Sequence, residues 1–206
     1  MKHVLGVMST AAEKLPASFP LEKKWLYTIA VGGLALLTAA GAKVAIPLPG
    51  TPVPATLQTL PVLLAGLVLG SRLGALSQVS YLALGLAGLP VFALPGAGPA
   101  YLLGPTGGYL LGSVAGAWLA GALAPPSRSP GFLRRLAAVT AGIGAIHAAG
   151  VVWLALRFSP DTFDAFRAGS FPFIVFDLAK GVLACALATA GISIARIVPW
   201  TSRSAD

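Results

Sequence analysis

Residues 171–196 read FPFIVFDLAKGVLACALATAGISIAR, a stretch whose apolar run is broken by one acid and one base, Asp177 and Lys180, before the closing Arg196. A helix crossing a bilayer needs about 20 predominantly apolar residues. This stretch is long enough, and five more apolar blocks precede it in the chain. Asp177 and Lys180 stand one helical turn apart on the same face. Ionisable side chains inside a membrane are costly and mark functional sites by default. The fold class is therefore an all-α integral membrane protein, and the search for its site starts at this pair.

Composition supports the membrane assignment. The mean hydropathy is +0.85, with 56% hydrophobic and only 10% charged residues over 206 positions, too apolar for a water-soluble domain. The net charge of +8 does not indicate nucleic acid, because the Lys and Arg residues are spread along the chain instead of forming a patch interleaved with aromatics. The single cysteine, Cys185, excludes a disulfide framework and reads as a buried packing residue. With two histidines, His3 and His147, and neither a His-Glu-x-x-His nor a Gly-x-Ser-x-Gly motif, hydrolase chemistry finds no support. Gly104-Pro-Thr-Gly-Gly-Tyr109 lacks the order and the lysine of a phosphate loop, so any ATP-driven step must come from a partner.

Six spans are expected: Trp25 to Ala42, Leu57 to Gly70, Leu73 to Phe92, Gly107 to Leu123, Leu136 to Leu156, and Phe171 to Arg196. The second is the shortest and contains Pro61. Residues 1–24 are expected to be an uncleaved cytoplasmic leader, 25–196 the membrane domain, and 197–206 a cytoplasmic tail. With the amino terminus inside, Lys2, Lys14, Lys23, Lys24, Arg72, Arg128, Arg134, Arg135, Arg196 and Arg203 fall on the inner side, against Lys43, Arg157 and Arg167 outside. This bias predicts a multi-pass protein of the cell membrane with both termini cytoplasmic.

Two loops then lie outside. The first, Ile46 to Gln58, carries four prolines, which preclude a regular helix and fix an extended path. The second, Leu94 to Tyr109, is rich in glycine and proline. Neither is charged, and both are expected to cap a ligand pocket. Asp177 would accept N–H donors there, and Lys180 would donate to a carbonyl or carboxylate; the competing reading is an internal ion pair. Thr51, Thr56, Gln58, Thr59 and Tyr81 add uncharged polar groups near the same side. His147 reads as an interhelical hydrogen-bonding residue rather than a proton relay. In the first span, Ala35-x-x-x-Ala39 permits close helix approach, either internally or to a partner.

The order of these elements resembles the BioY family, the biotin-specific substrate-binding (S) subunits of energy-coupling-factor transporters. The resemblance is carried by Ile46-Pro-Leu-Pro-Gly-Thr-Pro-Val-Pro-Ala-Thr-Leu-Gln-Thr-Leu60, Leu63 to Leu76, Tyr81 to Phe92, Gly104 to Gly112, and Pro172-Phe-Ile-Val-Phe-Asp-Leu-Ala-Lys180. It implies a six-helix subunit that captures biotin outside and delivers it inward while docked on a transmembrane coupling protein and two ATPases. It implies further that Asp177 and Lys180 hold the ureido head, with the rings against Phe92 and Tyr81. The carboxylate would lie near Thr106, Gly107 and Gly108 or at Lys43, although Lys180 could take the carboxylate instead. Gln58 and Thr56 complete the expected substrate site, and Ala35 and Ala39 the expected docking surface. The chain departs from the family pattern in its long leader and at Gln78. An S subunit for another small vitamin, an ion-coupled solitary carrier using Asp177 or His147, and a non-transporting scaffold are the alternatives. No metal, cofactor or nucleic-acid partner is expected.

Overall fold

The computed structural model describes residues 24–159 and 161–190; the expected leader, the tail and the end of the sixth block lie outside them. Helix α1 (Lys24–Lys43) is followed by strands β1 (Ala45–Ile46) and β2 (Ala55–Thr56), helices α2 (Thr59–Leu86), α3 (Gly98–Leu102) and α4 (Gly107–Leu123), a 3-10 turn at Pro126–Arg128, and helices α5 (Phe132–Arg157), α6 (Thr162–Gly169) and α7 (Ile174–Thr189). Among the described residues, four helices are long and apolar enough to cross a membrane, or five if α6 and α7, bent by 51°, are one broken span.

Helix α2 is not one rod. Gly70 takes φ 81° and ψ 178° inside it, a conformation open mainly to glycine. A Cβ placed on Gly74 would meet the Gly66 Cα at 2.8 Å, whereas positions eight apart on a continuous helix are separated by about 12 Å. The chain therefore doubles back at Gly70, and residues 59–69 and 71–86 are antiparallel arms. Pro61 sits in the first turn of the first arm, where no intrahelical amide bond is needed.

The first arm is the centre of the bundle. Every residue from Pro61 to Val68 is buried, and Leu63, Leu64, Leu67 and Val68 pack with Ala120 and Ala124 of α4, Ala138, Val139 and Ile143 of α5, and Ala184, Cys185 and Ala188 of α7. A helix apolar on all sides suits such a position. Close packing depends on small residues: a Cβ on Gly66 would run into the Ala117 carbonyl, and one on Gly116 would come within 3.0 Å of the Gly142 carbonyl. Outward faces carry exposed Ile29, Leu36, Trp118, Val152, Val175, Phe176 and Leu183, a surface made for lipid rather than water.

Ala35 and Ala39 belong to the interior. They are 1% and 8% exposed and pack with Ala42, Tyr81, Leu82, Phe92 and Leu110. Their spacing serves the contact of α1 with α2, which corrects the expectation that they form a docking surface. Helix α6 was not expected from the hydropathy pattern, although its signals are local: Asp161 accepts the Phe163 amide at 2.8 Å, Asp164 lies in the first turn and Arg167 in the last. The following helix starts at Ile174 rather than Phe171, because residues 171–173 form the turn of the bend.

Candidate functional site

Both Pro/Gly-rich loops meet the start of α7 at one end of the bundle. The proline-rich loop closes through an antiparallel two-residue ribbon, Ala45 opposite Thr56 and Ile46 opposite Ala55, and the Leu57 amide donates to the Gly41 carbonyl at 3.1 Å. In the second loop, Lys43 Nζ donates to the carbonyls of Phe92 at 2.8 Å and Leu94 at 2.7 Å, and Trp153 Nε1 donates to Gly104 O at 2.9 Å. These loops are thus fastened to α1 and α5.

Beneath them is a cavity lined by residues of both loops and of α2, α4, α5 and α7, among them Val53, Thr56, Gln58, Tyr101, Thr106 and Lys180. The cavity has a volume of about 80 Å³ and is open at its mouth, which is small beside the range of about 300–1,000 Å³ typical of small-molecule sites. Apolar contact comes from Val53, Val62, Ile146 and Phe173, and uncharged polar contact from Thr59, Tyr109 and Ser113. Burial pushes the Tyr101 phenol above its ordinary value, so it stands at the second loop as a neutral hydroxyl.

Asp177, in the first turn of α7, is 6% exposed. Lys180 Nζ donates to Asp177 Oδ1 at 2.7 Å and to the Thr56 carbonyl at 2.6 Å, tying α7 to the proline-rich loop. The other carboxylate oxygen, Oδ2, lies 3.0 Å from His147 Nε2, and His147 Nδ1 lies 2.9 Å from Ser170 Oγ. Tyr109 packs edge-on against the His147 ring and donates its hydroxyl to Gly169 O at 2.7 Å. An ammonium has three donors, two of them used here, and each carboxylate oxygen can accept more than one hydrogen bond. The pair is neutral overall and retains both donor and acceptor capacity, as a ligand with N–H groups beside a carbonyl would require.

Of the substrate residues expected from sequence, Asp177, Lys180, Thr56, Gln58 and Thr106 all line this cavity. Four do not. Tyr81 and Phe92 are 0% exposed and pack edge-to-face with ring centroids 5.5 Å apart; Phe92 reaches the site only indirectly, stacked on Tyr101 at 5.2 Å. Gly107 and Gly108 are buried where Leu102, Ala149 and Trp153 approach closely, so their lack of a side chain serves packing. Lys43 is committed to loop carbonyls. Gln78 is not a pocket wall: it is buried beside Thr38 and Ser77. Among the described residues no group of His, Cys, Asp and Glu has the makings of a metal site.

Tyr109, Phe173, Ser113 and Ile146 were missed as lining residues, and Ser170 as a partner of His147. His147 does make interhelical hydrogen bonds, as expected, but to the site itself. No spacing rule links residues 147, 170 and 177; they meet because α5 and the α6–α7 bend converge.

Similarity to known proteins agrees with this architecture. A family model described as BioY family matches residues 14–197. The chain is 43% identical over 160 residues to the "Biotin transporter BioY" of Thermotoga maritima, covering 78% of this chain and 92% of that protein. It is 41% identical over 152 residues to the "Probable biotin transporter BioY" of Pyrococcus horikoshii, covering 74% and 87%. Among solved structures, the S-component for biotin from an ECF-type ABC transporter superposes with a TM-score of 0.78 at 25% identity, covering 84% of this chain and 94% of that one.

Proposed function

The chain belongs to the BioY family, and we propose that it is a biotin-binding S subunit that takes the vitamin from outside the cell and releases it inward. The observation that carries the reading is the Asp177–Lys180 pair, its acid buried and its base half-buried, lining a cavity under two fastened loops. Biotin's ureido ring has two N–H donors and a strong carbonyl acceptor. Lys180, with one donor left after Thr56 and Asp177, gives it to the ureido carbonyl, and Asp177 accepts a ureido N–H. The fused rings rest against Phe173, Ile146 and Val62. The valerate then points toward Thr106 and Tyr101, whose hydroxyls supply donors to the carboxylate.

In this reading the membrane domain crosses six times, with each arm of α2 a separate crossing and the short first arm sheltered from lipid by its neighbours. Arg72, Arg128, Arg134 and Arg135 lie toward the Gly70 end, and Lys43, Arg157 and Arg167 toward the loop end, so both termini are assigned to the cytoplasm and the cavity to the outside. Transport is powered by partners, a transmembrane coupling protein and two ATPases, because the chain has no nucleotide-binding loop.

Equilibrium binding of labelled biotin to the purified protein in nanodiscs, with unlabelled biotin, thiamine and riboflavin as competitors, tests the ligand. Displacement by biotin alone is expected, and no saturable binding to folded protein would end the reading. For energy coupling, uptake into cells should vanish when the ATPases are lost. Uptake that survives that loss but collapses with the proton gradient would make the protein an ion-coupled carrier instead.

A further inference from the structure

We propose that His147 is a positioning residue for this site, acting through Asp177 in one defined tautomer; the inference rests on the biotin reading above. A carboxylate only accepts hydrogen bonds, so the 3.0 Å contact with Asp177 Oδ2 requires the proton on His147 Nε2. In a neutral ring Nδ1 is then the acceptor, and the Ser170 hydroxyl 2.9 Å away donates to it. His147, Ser170 and Asp177 are 7%, 1% and 6% exposed, so water does not compete strongly for these bonds. The charged and titratable groups around the ring are Asp177 and its partner Lys180 on α7 and Tyr109 on α4.

The arrangement solves a geometric problem. Lys180 is three residues from Asp177 on the same helix, and alone it would leave the carboxylate free to turn. His147 comes from α5 and fixes the second oxygen, while Ser170 fixes the ring from the end of α6. Asp177 is therefore held through both oxygens, one by Lys180 of its own helix and one by His147 of α5, so the carboxylate that lines the cavity pays little ordering cost when ligand arrives. The same chain of bonds ties the acid to the bend between α6 and α7, which Tyr109 anchors at Gly169.

The test is labelled-biotin affinity of His147→Gln, His147→Asn and Ser170→Ala, alone and combined with Asp177→Asn, with melting midpoints in detergent measured alongside. A glutamine amide can stand in for Nε2–H, while an asparagine amide reproduces only the Nδ1 position. His147→Gln is expected to bind within about threefold of wild type and His147→Asn about tenfold more weakly, the scale of one hydrogen bond to a charged group. In the Asp177→Asn background, His147→Asn should cost no further affinity, because its effect runs through the carboxylate. Equal affinity of the Gln and Asn variants, or a full loss retained in the Asp177→Asn background, would overturn the proposal. If His147→Asn fails to fold, Ser170→Ala decides: wild-type affinity, or a loss retained in the Asp177→Asn background, overturns the proposal, and a loss of about threefold that disappears in that background supports it. Wild-type protein that binds no biotin removes the ligand reading itself, an outcome distinct from any difference among variants.

Discussion

Two polar clusters are buried in this bundle, and they differ in what their hydrogen bonds leave over. In the first, Asp177, Lys180, His147 and Ser170 join α5, α7, the α6–α7 bend and the proline-rich loop, and the group borders a cavity. In the second, Thr38 of α1 meets Gln78 of the second arm of α2, with Ser77 and Tyr81 fully buried on the same arm. There Gln78 Nε2 reaches Ser77 Oγ at 3.0 Å and Thr38 Oγ1 at 3.3 Å, while Gln78 Oε1 and the Tyr81 hydroxyl have no protein partner. Burial of polar groups is thus shared by both. What sets the first apart is charge, partners drawn from several elements, and a place in the lining of the cavity.

The contrast makes predictions of graded size. Lys180→Ala should have the largest effect: it strands a buried carboxylate and frees the proline-rich loop, costing about 3 kcal/mol or more, a loss above a hundredfold in biotin affinity. Asp177→Asn should come next, at about 1.5–3 kcal/mol, since an amide accepts more weakly from a ureido N–H. Both are read by titration of labelled biotin on protein whose melting midpoint confirms folding, and wild-type affinity in either would dissolve the distinction between the clusters. Gln78→Leu should leave affinity within about twofold and change stability by no more than about 1 kcal/mol, because it removes an orphaned acceptor together with two bonds. Tyr81→Phe should be the smallest, with unchanged affinity and equal or slightly higher thermal stability, since the hydroxyl it deletes is unpartnered. A clear loss of biotin binding in Tyr81→Phe would move the ring back to the ligand.

Much of this was legible in the chain. Asp177 and Lys180 stood out because charge inside an apolar run is expensive wherever it occurs, and Thr56 and Gln58 because they lie in an uncharged proline-rich loop at the same end, whereas Thr106 came only from the family resemblance. Tyr81 was misassigned for an equally physical reason: a tyrosine on a helix has a direction that depends on its neighbours, and α1 covers this one. Ala35 and Ala39 show the same limit, since small spacing permits a close contact without saying whether the contacting helix is internal. The first arm of α2 looked like the weakest span by length, yet it is the most enclosed element.

By itself the sequence determined that the protein lives in a membrane, where its charged pair lies along the chain, and which segments between the apolar blocks are irregular, because hydropathy, charge cost and proline geometry are properties of residues and short segments. Only the tertiary structure decided that the chain doubles back at Gly70, that Tyr81 and Phe92 face a sealed cluster, and that His147 and Ser170 reach Asp177. Those outcomes depend on how helices distant in sequence pack against one another. Periodicity along one helix gives its faces, but the neighbour that each face meets is fixed by the assembled bundle.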